Sequence, residues 1–92
     1  MRVNGMAVLK LLGGLRRYGA AESQVGATTV RAALSAGPVP QRLLFPGGRL
    51  NRDVEVLVNG RNVAFLSGLD TPLAADDRVT VFLHGARGYP GG

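Results

Sequence analysis

The chain contains no cysteine, and that one absence removes several functions together. A disulfide framework, a thiolate metal site, a nucleophilic thiol, a redox pair and a side-chain thioester all require it. Tryptophan is also missing, and three Phe and two Tyr are the only aromatics, so the core has to be aliphatic. Histidine occurs once, at His84. A lone His just beyond a strand is more often solvated than a general base, and it has no thiol to activate. Lysine also occurs once, at Lys10. No apolar run approaches the about 20 residues that cross a bilayer. Met1 to Lys10 carries no small-residue cleavage site. A cytoplasmic protein without a membrane partner is the expectation.

Catalytic constellations are missing as well. Ser23, Ser35 and Ser67 stand outside any G-x-S-x-G elbow. Asp70, Asp76 and Asp77 have the irregular spacing of turn residues and form no recognisable coordination pattern. Neither Gly13-Gly14 nor Gly47-Gly48 is followed by the Lys-Ser/Thr of a phosphate loop. No enzyme emerges, and no metal site.

What is present is one domain's worth of chain, 92 residues with a net charge of +5. The arginines are scattered, with only Arg16-Arg17 adjacent, and no aromatics are interleaved as a nucleic-acid stacking platform requires. A solvated basic surface is therefore favoured over a nucleic-acid binder. A module for RNA or another polyanion remains a third reading, distinguished by a steep loss of affinity with salt.

The pattern along the chain alternates clearly. "MAVLKLL" (6–12) reads as a buried or half-buried strand, broken at Gly13-Gly14. "LRRYGAAESQV" then leads as a polar connection into a second strand ending near Val25, forming a hairpin. "GATTVRAALSAGP" predicts a helix capped by Thr28 or Thr29. Val30, Ala33 and Leu34 make its apolar face, and Gly37-Pro38 its stop. "PQRLLF" predicts a second short helix. In "DVEVLVNGRNVAFL", Val54, Val56 and Val58 share a strand face and Asn59-Gly60 suits a primed two-residue turn. "RVTVFL" predicts a last strand with Val79, Val81 and Leu83 inward and Thr80 and Phe82 on the other face. Its aliphatic inner face suits a central strand. The order is strand, strand, helix, strand, strand, strand: an α+β layer pair, a mixed sheet of four to five strands with one main helix on one face. Residues 1–83 are expected to form this domain, and 84–92, "HGARGYPGG", a flexible C-terminal tail.

Body and tail together resemble a known family. "VLVNGRNVAFLSGLDTPLAADDRVTVF" resembles the second half of the MoaD/ThiS sulfur-carrier proteins, with its VNG turn, Leu-Asp turn, final strand and terminal Gly-Gly. "VLKLLGGLRRYGA" is similar to their first strand and loop, "TTVRAAL" to the start of their helix, and "LLFPGGRLNRDVEVLVNG" to the CysO-like branch. The tail with His84, Arg87 and Tyr89 is longer than that family's usual run to Gly-Gly.

The resemblance implies a ubiquitin-like β-grasp fold and no catalytic residue in the chain itself. A partner activating enzyme, using ATP and Mg²⁺, would adenylate the carboxylate of Gly92. Sulfur would then displace AMP to leave a thiocarboxylate, which serves a downstream sulfur-accepting enzyme in cofactor or cysteine biosynthesis. Gly91 and Gly92 lack a Cβ and can thread a narrow channel. Pro90 holds itself and Tyr89 toward extended geometry. Arg87 either pairs with acids on the partner or stays solvated, the commoner case for an exposed charge. Phe82 is either an exposed docking anchor beside the tail or buried under a loop. The alternative is a ubiquitin-like modifier, in which Gly92 forms an isopeptide bond with a lysine of a target protein.

Overall fold

The structure, a computed structural model, describes residues 6–84. Strand β1 (Met6–Leu11) pairs antiparallel with β2 (Glu22–Gly26) as the expected hairpin. Its alternation is strict: Ala7, Leu9 and Leu11 are buried, and Met6, Val8 and Lys10 are only half-buried. The connection is less simple than its polar composition indicates. Gly13 turns the chain at φ +56°, a region other L-residues rarely enter, and residues 13–18 close into a 3₁₀ helix. That turn drives Leu15 fully into the core.

Helix α1 (Val30–Ala36) begins where the sequence indicates. Thr29 is extended, and its Oγ1 accepts from the Ala32 N–H at 3.2 Å. Thr29, not Thr28, is therefore the cap. Val30, Ala33 and Leu34 face the sheet, each at most 2% exposed. Helix α2 (Gln41–Leu44) follows at once. The Gln41 amide donates to the Leu34 carbonyl at 3.2 Å, tying the two helices together, while Val39 and Leu44 seal the core between them.

Strands β3 (Val54–Val58), β4 (Arg61–Asn62) and β5 (Arg78–Leu83) complete the sheet, in the order β2-β1-β5-β3-β4. β5 lies parallel to β1 and antiparallel to β3. The expectation of a central last strand holds, since Val79 and Val81 are fully buried. Asn59 and Gly60 take φ of 51° and 87°, the signature of the primed hairpin turn. The turn is also pinned to β5: the Asn59 N–H donates to the Arg78 carbonyl at 2.8 Å, and the Arg78 N–H donates back to Asn59 Oδ1 at 2.9 Å.

The predicted partner strand is short. Asn62 Oδ1 accepts from the Ala64 N–H at 2.8 Å, capping a 3₁₀ turn at Val63–Phe65 that ends pairing after two residues. One face of the sheet thus carries the helix and the aliphatic core. The opposite face is left open.

Candidate functional site

β5 determines where the chain leaves the domain. Its inward residues anchor it in the middle of the sheet, and at its end His84, the first residue of the expected tail, is still fastened. The His84 N–H donates to the Asp53 carbonyl at 3.0 Å, and Nε2 lies 3.2 Å from the Arg52 carbonyl. The ring is exposed, and its recorded partner is backbone rather than a side chain positioned for catalysis. Arg87, Tyr89, Pro90, Gly91 and Gly92 lie outside the described residues.

Phe82 is the side chain of interest nearest this exit. It stands opposite Glu55 of β3 and points to the open face. It is half-buried and does not join the core cluster. Alternation explains this, because its neighbours Val81 and Leu83 already face inward. Leu12 continues β1 beside it, donating its N–H to the Val81 carbonyl at 3.1 Å, and is 43% exposed. By register, Val8, Leu12, Leu57 and Phe82 share this open face. Polar pairs frame the strip. Lys10 and Arg78 each lie 3.8 Å from the Glu22 carboxylate, and the Asn62 amide donates to Glu55 at 2.9 Å.

Two concavities adjoin the tail root. A notch of ≈ 710 Å³ is lined by Pro46, Arg49, Leu50, Asn51, Arg52, Asp53 and His84. A more apolar groove of ≈ 400 Å³ runs along Val54 and Val56 toward Val63 and Leu69. It exists because β4 pairs only with Leu57 and Val58, leaving the first half of β3 without a neighbour on that side.

The acids are occupied with turn geometry. Asp77 accepts from the Asn59 amide at 3.1 Å and from the Ala74 N–H at 2.8 Å. Asp76 sits at φ 71°. Among the described residues no group of three or more His, Cys, Asp or Glu is arranged to hold a metal ion, and no helix is long and apolar enough to cross a membrane.

Two features escape a reading of the sequence. Phe65, placed there in a strand, is 83% exposed on the turn that follows β4. The signal for it is Asn62, a capping residue two positions before the first free amide. Arg49 and Arg52 gain their place beside His84 only through the β3–β5 pairing, and no local pattern marks them.

A parallel β1–β5 pair at the centre of a five-stranded sheet, with one main helix across one face, defines a ubiquitin-like β-grasp domain. The particular family follows from sequence: the chain matches the ThiS family over residues 9–85 and belongs to it. Small archaeal modifier protein 1 from Methanosarcina acetivorans superposes with a TM-score of 0.77, covering 89% of this chain and 95% of that one at 23% identity, which speaks to the fold alone. SAMP1 from Haloferax volcanii gives a TM-score of 0.71 at 30% identity, covering 86% of this chain and 94% of that one. CysO from Mycobacterium tuberculosis gives 0.72 at 28% identity, covering 84% of this chain and 97% of that one. No curated protein matches the chain by sequence. The class is thus one of small ubiquitin-like sulfur carriers and modifiers.

Proposed function

We propose that this protein is a sulfur carrier whose reactive group is the carboxylate of Gly92. Membership of the ThiS family together with the exit of β5 supports this reading. The central strand β5 ends at Leu83, and the last backbone hydrogen bond among the described residues is that of the His84 N–H to Asp53, eight residues before Gly92.

A carboxylate resists attack by sulfur because its negative charge repels nucleophiles and oxide is a poor leaving group. In the proposed cycle an activating enzyme supplies ATP and Mg²⁺. A Gly92 carboxylate oxygen attacks the α-phosphorus, pyrophosphate leaves, and an acyl-adenylate forms. Hydrosulfide, the sulfur source at the required oxidation level, then attacks the carbonyl carbon, AMP departs and a proton is lost, leaving a thiocarboxylate for a biosynthetic acceptor. No side chain of this protein performs the chemistry. Gly91 and Gly92 keep the approach to that carbon open. Pro90 lowers the entropy lost on threading, with Tyr89 and Arg87 as further points of tail recognition. Phe82 supplies an apolar anchor beside the exit.

The second reading, a modifier that joins Gly92 to a lysine amine, draws support from the likeness to SAMP1 at 30% identity. Both readings share the activation step and part only at the final nucleophile. Mass spectrometry of the protein purified from its own cell separates them. Oxygen-to-sulfur exchange at Gly92 supports the carrier, and a lysine adduct on another protein supports the modifier. Deleting Gly91 and Gly92 is expected to abolish sulfur supply while leaving the melting temperature unchanged. Sulfur supply by the truncated chain would end the carrier reading.

A further inference from the structure

We propose that the arginines around the tail root form a positive collar that seats on an acidic rim of the enzyme that receives the tail. The inference rests on the reading above that an activating enzyme does so.

Position is the first ground. Arg49 and Arg52 line the notch beside His84. Arg16 and Arg17 lie on the 13–18 turn, which packs at the C-terminal end of β5 and is held there through the Leu12–Val81 hydrogen bond. Four arginines thus lie on the two segments that flank the C-terminal end of β5.

Availability is the second. All four side chains belong to exposed residues. The ion pairs among the described residues are Lys10–Glu22 and Arg78–Glu22, so none of the four is neutralised by a direct pair. Asp53 is the single carboxylate lining the notch. Arg17 lies over the Tyr18 ring at 5.8 Å, which orients it without removing its charge.

Asymmetry is the third. At the opposite end of the sheet, where β5 begins, the Asp77 carboxylate accepts from the Asn59 amide and the Ala74 N–H, Asp76 lies beside it in the chain, and Arg78 is paired with Glu22. Arg16, Arg17, Arg49 and Arg52 thus put four exposed positive charges on the segments beside the C-terminal end of β5, whereas two acids stand together where it begins. Such a pole steers association and orients the encounter, and a surface of clustered carboxylates is its complement. A protein rim is favoured over nucleic acid because Tyr18 is the single aromatic among the four arginines and their segments, and one face of its ring already carries Arg17, which leaves no run of stacking faces.

The test uses the full chain and the activating enzyme of the same cell, isolated by the ATP–pyrophosphate exchange it performs with this protein. The collar variant is Arg49→Glu/Arg52→Glu. Arg31→Glu/Arg61→Glu, on exposed positions of α1 and β4, matches it in net charge. Thermal melts establish that both are folded. At low ionic strength the collar variant is expected to raise the KM for this protein at least about tenfold with kcat unchanged, against about twofold or less for the matched variant. Rising salt should raise the wild-type KM and leave the collar variant nearly flat. Equal effects of the two variants, or a wild-type KM indifferent to salt, would overturn the collar. So would single-stranded RNA that competes for the same arginines more tightly than the enzyme binds. Exchange that survives deletion of Gly91 and Gly92 would overturn the carrier reading and the collar with it. That failure is recognisable because the collar comparison is made with the tail intact.

Discussion

Replacing Asn59 with Asp tests whether the hairpin turn and the start of β5 form one locked unit. Asn59 does three things at once: it holds φ 51°, accepts from the Arg78 N–H at 2.9 Å, and donates its amide to Asp77 at 3.1 Å. Aspartate tolerates the same backbone and keeps the acceptor, so only the third interaction changes. A donated hydrogen bond to a carboxylate is lost, at about 1.5 kcal/mol, the low end for charged partners because the site is exposed. A second carboxylate then faces the first at close range, costing about 1 kcal/mol in water-like dielectric. The sum is about 2 to 2.5 kcal/mol, partly relieved by side-chain rotation. For a domain of this size that corresponds to a fall in Tm of about 8–15 °C. The decisive measurement is a double-mutant cycle by urea unfolding with Asp77→Asn. The swapped pair can donate in the reverse direction, and its remaining oxygen can still accept from the Ala74 N–H. The double variant should recover at least about 1 kcal/mol relative to additivity. Strict additivity, or a single-variant loss below about 0.5 kcal/mol, would show that the crosslink holds nothing together.

Other perturbations probe the core, the cap and the open face. Gly37→Ala places a Cβ against Leu9 Cδ2, and Leu9 is only 1% exposed, so overpacking should cost about 1–3 kcal/mol in urea unfolding although φ there is an unstrained −83°. Thr29→Ala removes the α1 cap and should cost about 1 kcal/mol, whereas Thr29→Ser should restore most of it. Phe82→Ala should weaken binding to the activating enzyme by about tenfold or more while lowering Tm only a few degrees, as expected of an apolar anchor outside the core. Equal loss of folding and binding would instead make Phe82 a structural residue.

Much of the fold is legible in the residues because the governing signals are local. Alternation places Val54, Val56 and Val58 inward, Asn59-Gly60 dictates its turn, and Thr29 and Gly37 bracket the helix. What local signals do not carry is the exception within a segment. Leu15 is one apolar residue among charged and glycine neighbours, without periodicity, yet the 3₁₀ turn opened by Gly13 buries it completely. Asn62 likewise redirects the chain after two paired residues, so Phe65 leaves the strand pattern and enters solvent. The parallel β1–β5 pairing joins residues some seventy positions apart, and no window of sequence carries it. The candidate site divides in the same way. Gly91 and Gly92 are read from the sequence alone, whereas the meeting of Arg49, Arg52 and His84 is a product of folding.

The parallel arrangement of β1 and β5 has a mechanical consequence. Met6 opens one strand and Leu83 closes its neighbour, so these two residues lie at opposite ends of one pair of inner strands. Tension applied between them runs along both strands, and the interstrand bonds that join them are loaded in shear together instead of being unzipped one by one. A domain gripped by its last residues and tugged against an amino-terminal attachment would therefore yield slowly, with its lifetime under force set by the unfolding barrier.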